Sequence, residues 1–115
     1  MLPGEVILEI TSTNEKIIEW NDKLKLALEN KSKKEYTYRQ ALAKEIRRLK
    51  YEEKLQASLI PDVARGNSNI AQLRYAKDVA ENECVAIKYH INSLSKILEA
   101  YRSILSFDKT EFKSY

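Results

Sequence analysis

Apolar residues recur every three or four positions through the second half of the chain, from Ser68 to Leu105. Neither Gly nor Pro interrupts this run. A hydrophobic period of 3.5 residues is typical of a helix that packs along one narrow seam against a partner helix. Ten apolar residues and one charged residue, Lys77, occupy the predicted seam positions. The ten apolar residues, called the seam below, are Ile70, Leu73, Ala80, Cys84, Ile87, Ile91, Leu94, Leu98, Tyr101 and Leu105.

The first half of the chain carries a second amphipathic pattern. It starts at Ser12, which has a glutamate three residues later in the spacing of a capping box, and continues at helical spacing to Leu59. The polar segment 30–35 interrupts the stripe, so either one helix continues through it or the chain turns there and forms a three-helix bundle. Because this segment contains neither Gly nor Pro, the pattern favours a continuous helix. Residues 1–11 are expected to be irregular, a short strand, or a first helical turn with Pro3 at position N1.

The strongest break in the chain is segment 60–68, which contains Pro61 and Gly66. Pro61 biases the residue before it away from helical angles, and Gly66 can adopt a positive φ. Ser68 or Asn69 can then cap the next helix. A connection this short is expected to fold the second helix back antiparallel on the first.

These patterns predict an all-α chain in a single domain, folded as a long antiparallel helical hairpin of the coiled-coil type. The expected order is a lead-in, a long helix, a turn, a second helix and a frayed tail, over residues 1–11, 12–59, 60–68, 69–106 and 107–115. Two glycines and two prolines provide too few turns for a multi-stranded sheet. Because a hairpin of 115 residues buries little surface per residue, we expect self-association through the seam to extend its core.

The charge pattern adds a second possible partner. The chain has 20 basic and 17 acidic side chains, mostly interspersed, which indicates a solvated surface of mixed sign. Segment 31–54 differs, because its cations outnumber its carboxylates by nine to four and three tyrosines lie among them. Surfaces that stack bases and hold phosphates have this composition, so nucleic acid is an alternative partner. The candidate contact residues are Lys33, Lys34, Arg39, Lys44, Arg47, Arg48, Lys50 and Lys54.

Candidate residues for catalysis or metal binding are few. His90 is the only histidine and has no further ligand at helical spacing, whereas zinc needs three or four. Cys84 is the only cysteine and lies on the seam, which indicates a buried thiol in a reducing cytoplasm. The sequence contains no convergent acid–base couple, phosphate-binding loop, export signal or membrane-length apolar run. We therefore expect no enzymatic activity, no metal, no cofactor and no membrane partner.

The segment from Pro61 to Glu81 resembles the central part of small coiled-coil proteins from phages and prophages of Gram-positive bacteria. In those proteins a hydrophobic-Arg-Gly-Asn/Asp turn precedes a helix of the form Ile/Val-Ala-x-Leu-Arg, then a charged pair and Ala-Glu. The matching residues here are Ala64-Arg65-Gly66-Asn67, Ile70-Ala71-Gln72-Leu73-Arg74, Lys77-Asp78 and Ala80-Glu81. The likeness extends over the lysine-rich first helix and Ile91-Asn92.

Such phage proteins are typically encoded among early genes, often near single-strand-binding and recombination functions. The resemblance implies a phage or prophage origin, a phage or host protein as partner, and an accessory role in DNA metabolism. It implies no catalytic residue. From the sequence we expect a non-enzymatic helical interaction module that self-associates through the seam as a dimer or higher oligomer. The alternative is an accessory DNA-binding protein of recombination or replication that uses the basic surface of residues 31–54.

Overall fold

The computed structural model describes the backbone of residues 1–113 and the side chains of residues 1–108. Three helices follow one another, α1 (Pro3–Tyr51), α2 (Ile60–Gly66) and α3 (Ser68–Lys113). The described residues contain no β-strand. The prediction of an all-α helical hairpin is therefore confirmed.

The chain forms two compact units. The terminal unit combines residues Met1–Lys25 of the first helix with α3 from Val85 onward. The bend unit, Leu26–Cys84, contains the rest of α1, all of α2 and the start of α3. The beginning of α1 therefore packs with the end of α3, as an antiparallel hairpin requires.

The first helix begins earlier than the sequence pattern indicated. It starts at Pro3, so the prediction of an irregular lead-in over residues 1–11 is wrong, and its alternative of a helical turn with Pro3 near the start is correct. The Glu5 carboxylate accepts a hydrogen bond from the Leu2 backbone N–H at 3.2 Å, which supplies one half of a capping box. Ser12, the predicted cap, lies inside the helix. The extra turns extend the apolar stripe of α1 toward the N-terminus and bury Val6 fully, which favours the helical start.

The first helix is continuous through residues 30–35, which excludes the three-helix bundle with a break there. It ends at Tyr51, however, and not at the predicted Leu59. Lys54 adopts a left-handed backbone conformation with φ of 49°. The Leu55 N–H then donates to the Leu49 carbonyl at 2.9 Å, so the chain reverses within a few residues.

The predicted turn over residues 60–68 is instead the short helix α2. Pro61 lies in its first turn, where the missing N–H has no helical partner to lose, so this proline starts a helix and does not break one. Neither glycine has a positive φ, so the conformation expected of Gly66 is found at Lys54. Buried Leu49, Ile60 and Ala64 form a small core under the bend, packed by Leu42, Ile46 and Leu55.

The third helix is capped by Asn67, and the prediction that Ser68 or Asn69 would cap it is wrong. The Asn67 Oδ1 accepts hydrogen bonds from the backbone N–H groups of Asn69 at 2.9 Å and Ile70 at 3.3 Å. The extended backbone of Asn67, with φ of −62° and ψ of 130°, also ends α2. At its other end α3 continues to Lys113, past the predicted boundary at 106. The predicted frayed tail is therefore helical up to residue 113, and positions 114 and 115 lie outside the described residues.

Candidate functional site

The seam is buried by the hairpin itself. In both units every seam residue is buried or half-buried, and those with less than a tenth of their surface exposed are Ile70, Ala80, Cys84, Ile87, Leu94 and Leu98. The terminal unit contains only segments of α1 and α3, so the helix that covers the seam there belongs to the same chain. The prediction that these residues pack against a partner helix is thus met within one chain. A second copy could use this seam only if α1 left it.

Lys77, the charged seam position, is held by polar and aromatic neighbours. Its ammonium pairs with Asp78 at 3.0 Å and lies 5.6 Å from the centre of the Tyr38 ring on α1. The hydrogen bond to Asp78 raises the pKa of Lys77 above its usual value, and the charges of Asp78, Glu81 and Glu35 act in the same direction. These neighbours therefore stabilise the charged form of Lys77 at its position along the seam.

The basic residues predicted for nucleic-acid contact fall into different environments. Arg39 is paired with Glu35 of the same helix at 2.9 Å. Lys54 lies in the turn after α1, and the Lys50 ammonium lies 5.3 Å from the centre of the Tyr51 ring. Four others are solvent-exposed side chains of α1 with no ion pair among residues 1–108: Lys33, Lys34, Lys44 and Arg47.

Arg48 is the remaining basic candidate, and it stabilises the bend. It donates two hydrogen bonds to Glu45, from Nη2 at 2.7 Å and from Nε at 3.1 Å, and a third from Nη1 to Glu53 at 2.9 Å. The hydrogen bond from Arg48 lowers the pKa of Glu45, with a smaller contribution from Asn67, and the contacts with Glu45 and Glu53 raise the pKa of Arg48. Because two carboxylates neutralise it, Arg48 is a structural cation and a poor candidate for phosphate.

Beside this network is an open groove of about 980 Å³ in the bend unit, called the tyrosine groove below. Side chains of α1 line one side of it at steps of four, four, three and four residues: Tyr36, Gln40, Lys44, Arg47 and Tyr51. Residues spaced in this way share one face of a helix. Asn67, Asn69 and Ile70 line the opposite side. The groove therefore presents two tyrosines at its ends and two unpaired cations between them.

A second apolar surface lies on the outside of α3 in the terminal unit, called the exposed row below. Tyr89 and Phe107 follow seam residues by two positions and lie on the side of the helix away from the seam, whereas Ile97 and Ile104 follow by three positions and lie on its flank. Its large members are Tyr89, Ile97, Ile104 and Phe107, whose exposed fractions are 70%, 45%, 41% and 67%. Its small members, also exposed, are Ala86, Ser93 and Ala100. Ser and Ala interrupt this row, so it does not stand out in the sequence as the seam does, although its spacing of three and four is present there.

The remaining candidates have structural surroundings. The His90 ring lies 4.3 Å from the Trp20 ring, centre to centre, and Lys23 lies over the same Trp20 ring at 4.1 Å. Cys84 is buried on the seam as predicted. Among the described residues, no three or more His, Cys, Asp or Glu side chains converge on a point suited to a metal ion. No described helix has the length and apolar character to cross a membrane.

Comparison of the chain with protein-family models, with curated proteins and with solved structures finds no match. The function must therefore be inferred from the surfaces of the hairpin. Two of these, the exposed row and the tyrosine groove, have a composition that buried packing within the chain does not explain.

Proposed function

We propose that this protein is a non-enzymatic helical interaction module that pairs with a second copy of itself through the exposed row of α3. The observation that supports this proposal is a row of four exposed large apolar side chains, interrupted by Ala and Ser, along a helix whose seam is already buried. Exposure of four large apolar side chains to water is unfavourable, and burying them is favourable by about 25 cal/mol per Å² of apolar surface. Contiguous exposed apolar surface of this kind is typical of interaction sites.

The order of residues in the row favours a second copy of the same chain as the partner. If two α3 helices meet antiparallel about a two-fold axis between positions 96 and 97, the two Ile97 side chains lie next to each other and large residues fall opposite small or medium ones. Phe107 then meets Ala86, and Tyr89 meets Ile104. Ser93 and Ala100 meet near the centre, where small side chains let the helices approach closely. A surface that fits itself under a two-fold axis forms a closed dimer.

Charge and area agree with a weak dimer. Lys96 and Glu99 lie three residues apart on the same side of the row, and the antiparallel register brings Lys96 of one copy within reach of Glu99 of the other. Using about 150–250 Å² for a buried aromatic side chain, the two aromatic residues of the exposed row offer roughly 300–500 Å² per copy. This is below the roughly 800 Å² per partner of a standard stable interface. We therefore expect dimers that dissociate on dilution.

Sedimentation analysis over a range of protein concentrations tests the proposal. Wild-type protein should shift from monomer to dimer with rising concentration. Ile97→Asp should remain monomeric at all concentrations, because it places two carboxylates against each other at the centre of the interface. Ile97 is exposed, so this variant should keep its helical circular dichroism spectrum. A wild-type protein that stays monomeric at high micromolar concentration would refute the proposal.

Two further variants establish the register. Ile97→Lys should also be monomeric, but an equimolar mixture of Ile97→Asp and Ile97→Lys should form a mixed dimer, because opposite charges then meet across the two-fold axis. Absence of the mixed dimer would show that Ile97 does not face itself. As a matched control, Leu94→Asp should lose helical structure, because Leu94 is buried in the seam and a charge there is desolvated.

The biological setting is also a proposal. The likeness of residues 61–81 to phage and prophage coiled-coil proteins supports a phage origin and a phage or host protein as a further partner. The single buried thiol of Cys84 supports a reducing cytoplasm of the bacterial host.

A further inference from the structure

We propose that the tyrosine groove binds single-stranded nucleic acid, with bases stacked on Tyr36 and Tyr51 and phosphates held by Lys44 and Arg47. The groove belongs to the bend unit, whereas the exposed row belongs to the terminal unit, so this inference does not depend on self-association. It goes beyond a general basic surface, because it selects two of the eight basic candidates and adds two aromatic side chains.

The exposure of the two tyrosines is the first observation that supports it. Tyr36 and Tyr51 are 67% and 66% exposed on the same face of α1. Neither ring forms an aromatic pair with a described residue, although the Lys50 ammonium approaches Tyr51. An exposed ring with a free face is a platform for an unpaired base, and stacking tolerates any base because every base has a flat face. Duplex bases are already stacked on each other and cannot use such platforms.

The placement of charge is the second observation. Lys44 and Arg47 lie between the tyrosines on the same face, and neither forms an ion pair among the residues whose side chains the structure describes. Two carboxylates also line the groove: Glu45, which Arg48 neutralises, and Glu52, which follows Tyr51 at one end; with Lys44, Arg47 and Arg48 against them, the groove keeps a net positive charge. Fifteen positions separate the two tyrosines, which is roughly 22 Å along the helix at 1.5 Å per residue. This span accommodates several nucleotides of an extended strand.

Amide side chains on both sides of the groove suit the same ligand. Asn69 lines the groove from the first turn of α3, and Gln40 lies between Tyr36 and the cations. Amide side chains donate and accept hydrogen bonds, so they can meet phosphate, sugar or base edges without a fixed sequence preference. The groove is therefore expected to bind strands with little regard to sequence.

Fluorescence anisotropy with labelled 20-nucleotide strands of dT and of U, and with a 20-base-pair DNA duplex, tests the inference at low and at moderate salt. We expect both single strands to bind and the duplex to bind at least about tenfold more weakly. Tyr36→Ala and Tyr51→Ala should each weaken single-strand binding by about tenfold, the size expected when one stacked base is lost. Tyr75→Ala, an exposed tyrosine of α3 outside the groove, is the matched control and should have no effect.

The salt dependence tests the role of the cations separately. For single strands, each phosphate contact contributes about 0.7 to the slope of log K against log salt. The double variant Lys44→Ala, Arg47→Ala should therefore reduce that slope by about 1.4. Lys34→Ala, an exposed lysine of α1 outside the groove, is the matched control and should leave binding unchanged. All these substitutions introduce Ala at exposed helical positions, so the fold should be retained.

Three results would overturn the inference. The first is no binding of either single strand at low salt. The second is equal binding of duplex and single strands with no effect of the tyrosine variants, which would indicate general attraction of polyanions. The third is a loss of affinity in Lys34→Ala as large as that in the double variant Lys44→Ala, Arg47→Ala. The monomeric Ile97→Asp variant should bind as the wild type does, so failure of the dimer and failure of the groove are distinguishable.

Discussion

Individual polar residues determine where the helices of this hairpin begin and end. Asn67 ends α2 and caps α3 through Oδ1, and its side chain also contributes to the lowered pKa of Glu45 on α1. One residue thus acts on all three helices at the bend. Ser and Asn residues adjoin it in the sequence, and the pattern alone did not show which of them would take this role.

The first residue-scale prediction concerns this cap. Asn67→Ala should lower the free energy of unfolding by about 1–2 kcal/mol, because two backbone N–H groups of α3 lose their acceptor. Asn69→Ala should change it by no more than about 0.5 kcal/mol, since Asn69 is exposed and its side chain forms no cap. Urea unfolding monitored by circular dichroism measures both values. Equal losses in the two variants would contradict the assignment of Asn67 as the cap.

The second residue-scale prediction concerns pH. Arg48 holds the pKa of Glu45 below its ordinary value of 4.5, and the Glu45 side chain is only 14% exposed. A carboxyl group whose folded-state pKa is lowered stabilises the fold above its unfolded-state pKa, and this stabilisation is lost as pH falls through the folded-state pKa. Wild type should therefore be more stable than Glu45→Gln at pH 7. The difference should shrink as pH falls below 4.5 and disappear in stronger acid.

Thermal unfolding of both proteins between pH 7 and pH 2 measures this difference. The same comparison in an Arg48→Met background is the control, because Glu45 then lacks its main partner and the pH-dependent part should decrease. A stability difference that is constant with pH would rule out the Glu45 carboxylate as its source.

At the scale of elements, the sequence predicted the two long helices and their apolar faces, but not their ends. The seam of α3 was predictable because its 3.5-residue period runs without Gly or Pro. The start of α1 was not predictable, because its cap is a hydrogen bond from the Leu2 backbone N–H to the Glu5 carboxylate and involves no Ser or Thr side chain. The end of α1 depends on a left-handed lysine, Lys54, which no residue-type preference indicates.

The candidate surfaces were predictable to a smaller extent. The excess of cations in residues 31–54 was visible in the sequence, and so was the helical spacing that pairs Arg48 with Glu45, but the contact of Arg48 with Glu53 depends on the turn after α1. The opposite wall of the tyrosine groove is formed by the start of α3, which no local pattern could place there. The spacing of the exposed row is present in the sequence, but only the structure shows that α1 covers the seam and leaves the row exposed.

The element-scale prediction concerns α2, which the sequence pattern indicated as a turn. Ile60→Ala should lower the free energy of unfolding by about 2–4 kcal/mol, because Ile60 is buried against Leu49 and Ala64 in the core under the bend. Val63→Ala, on the exposed side of the same helix, should cost less than about 1 kcal/mol. Chemical unfolding of both variants measures this contrast. Similar small losses would indicate that α2 is a loosely attached connection.

At the scale of the whole molecule, self-association and stability should be linked. A dimer that binds only folded chains raises the melting temperature as the protein concentration rises. We therefore expect the wild-type melting temperature to increase between low and high micromolar concentration. Differential scanning calorimetry measures the shift. Ile97→Asp should melt at one temperature throughout this range, and a concentration-dependent shift that persists in this variant would place the contact on another surface.

The core under the bend also has a consequence for the order of folding. Leu49, Ile60 and Ala64 meet across short separations in sequence, so the loop that they close costs little chain entropy. Val6 and Leu98, by contrast, are buried in a unit whose two helix segments are joined only through the rest of the chain. The transition state for folding should therefore contain the bend, with φ-values near one at Leu49 and Ile60 and near zero at Val6 and Leu98. On this account the bend packs first, and the two helix segments of the terminal unit are the last parts to pack during folding and the first to separate during unfolding.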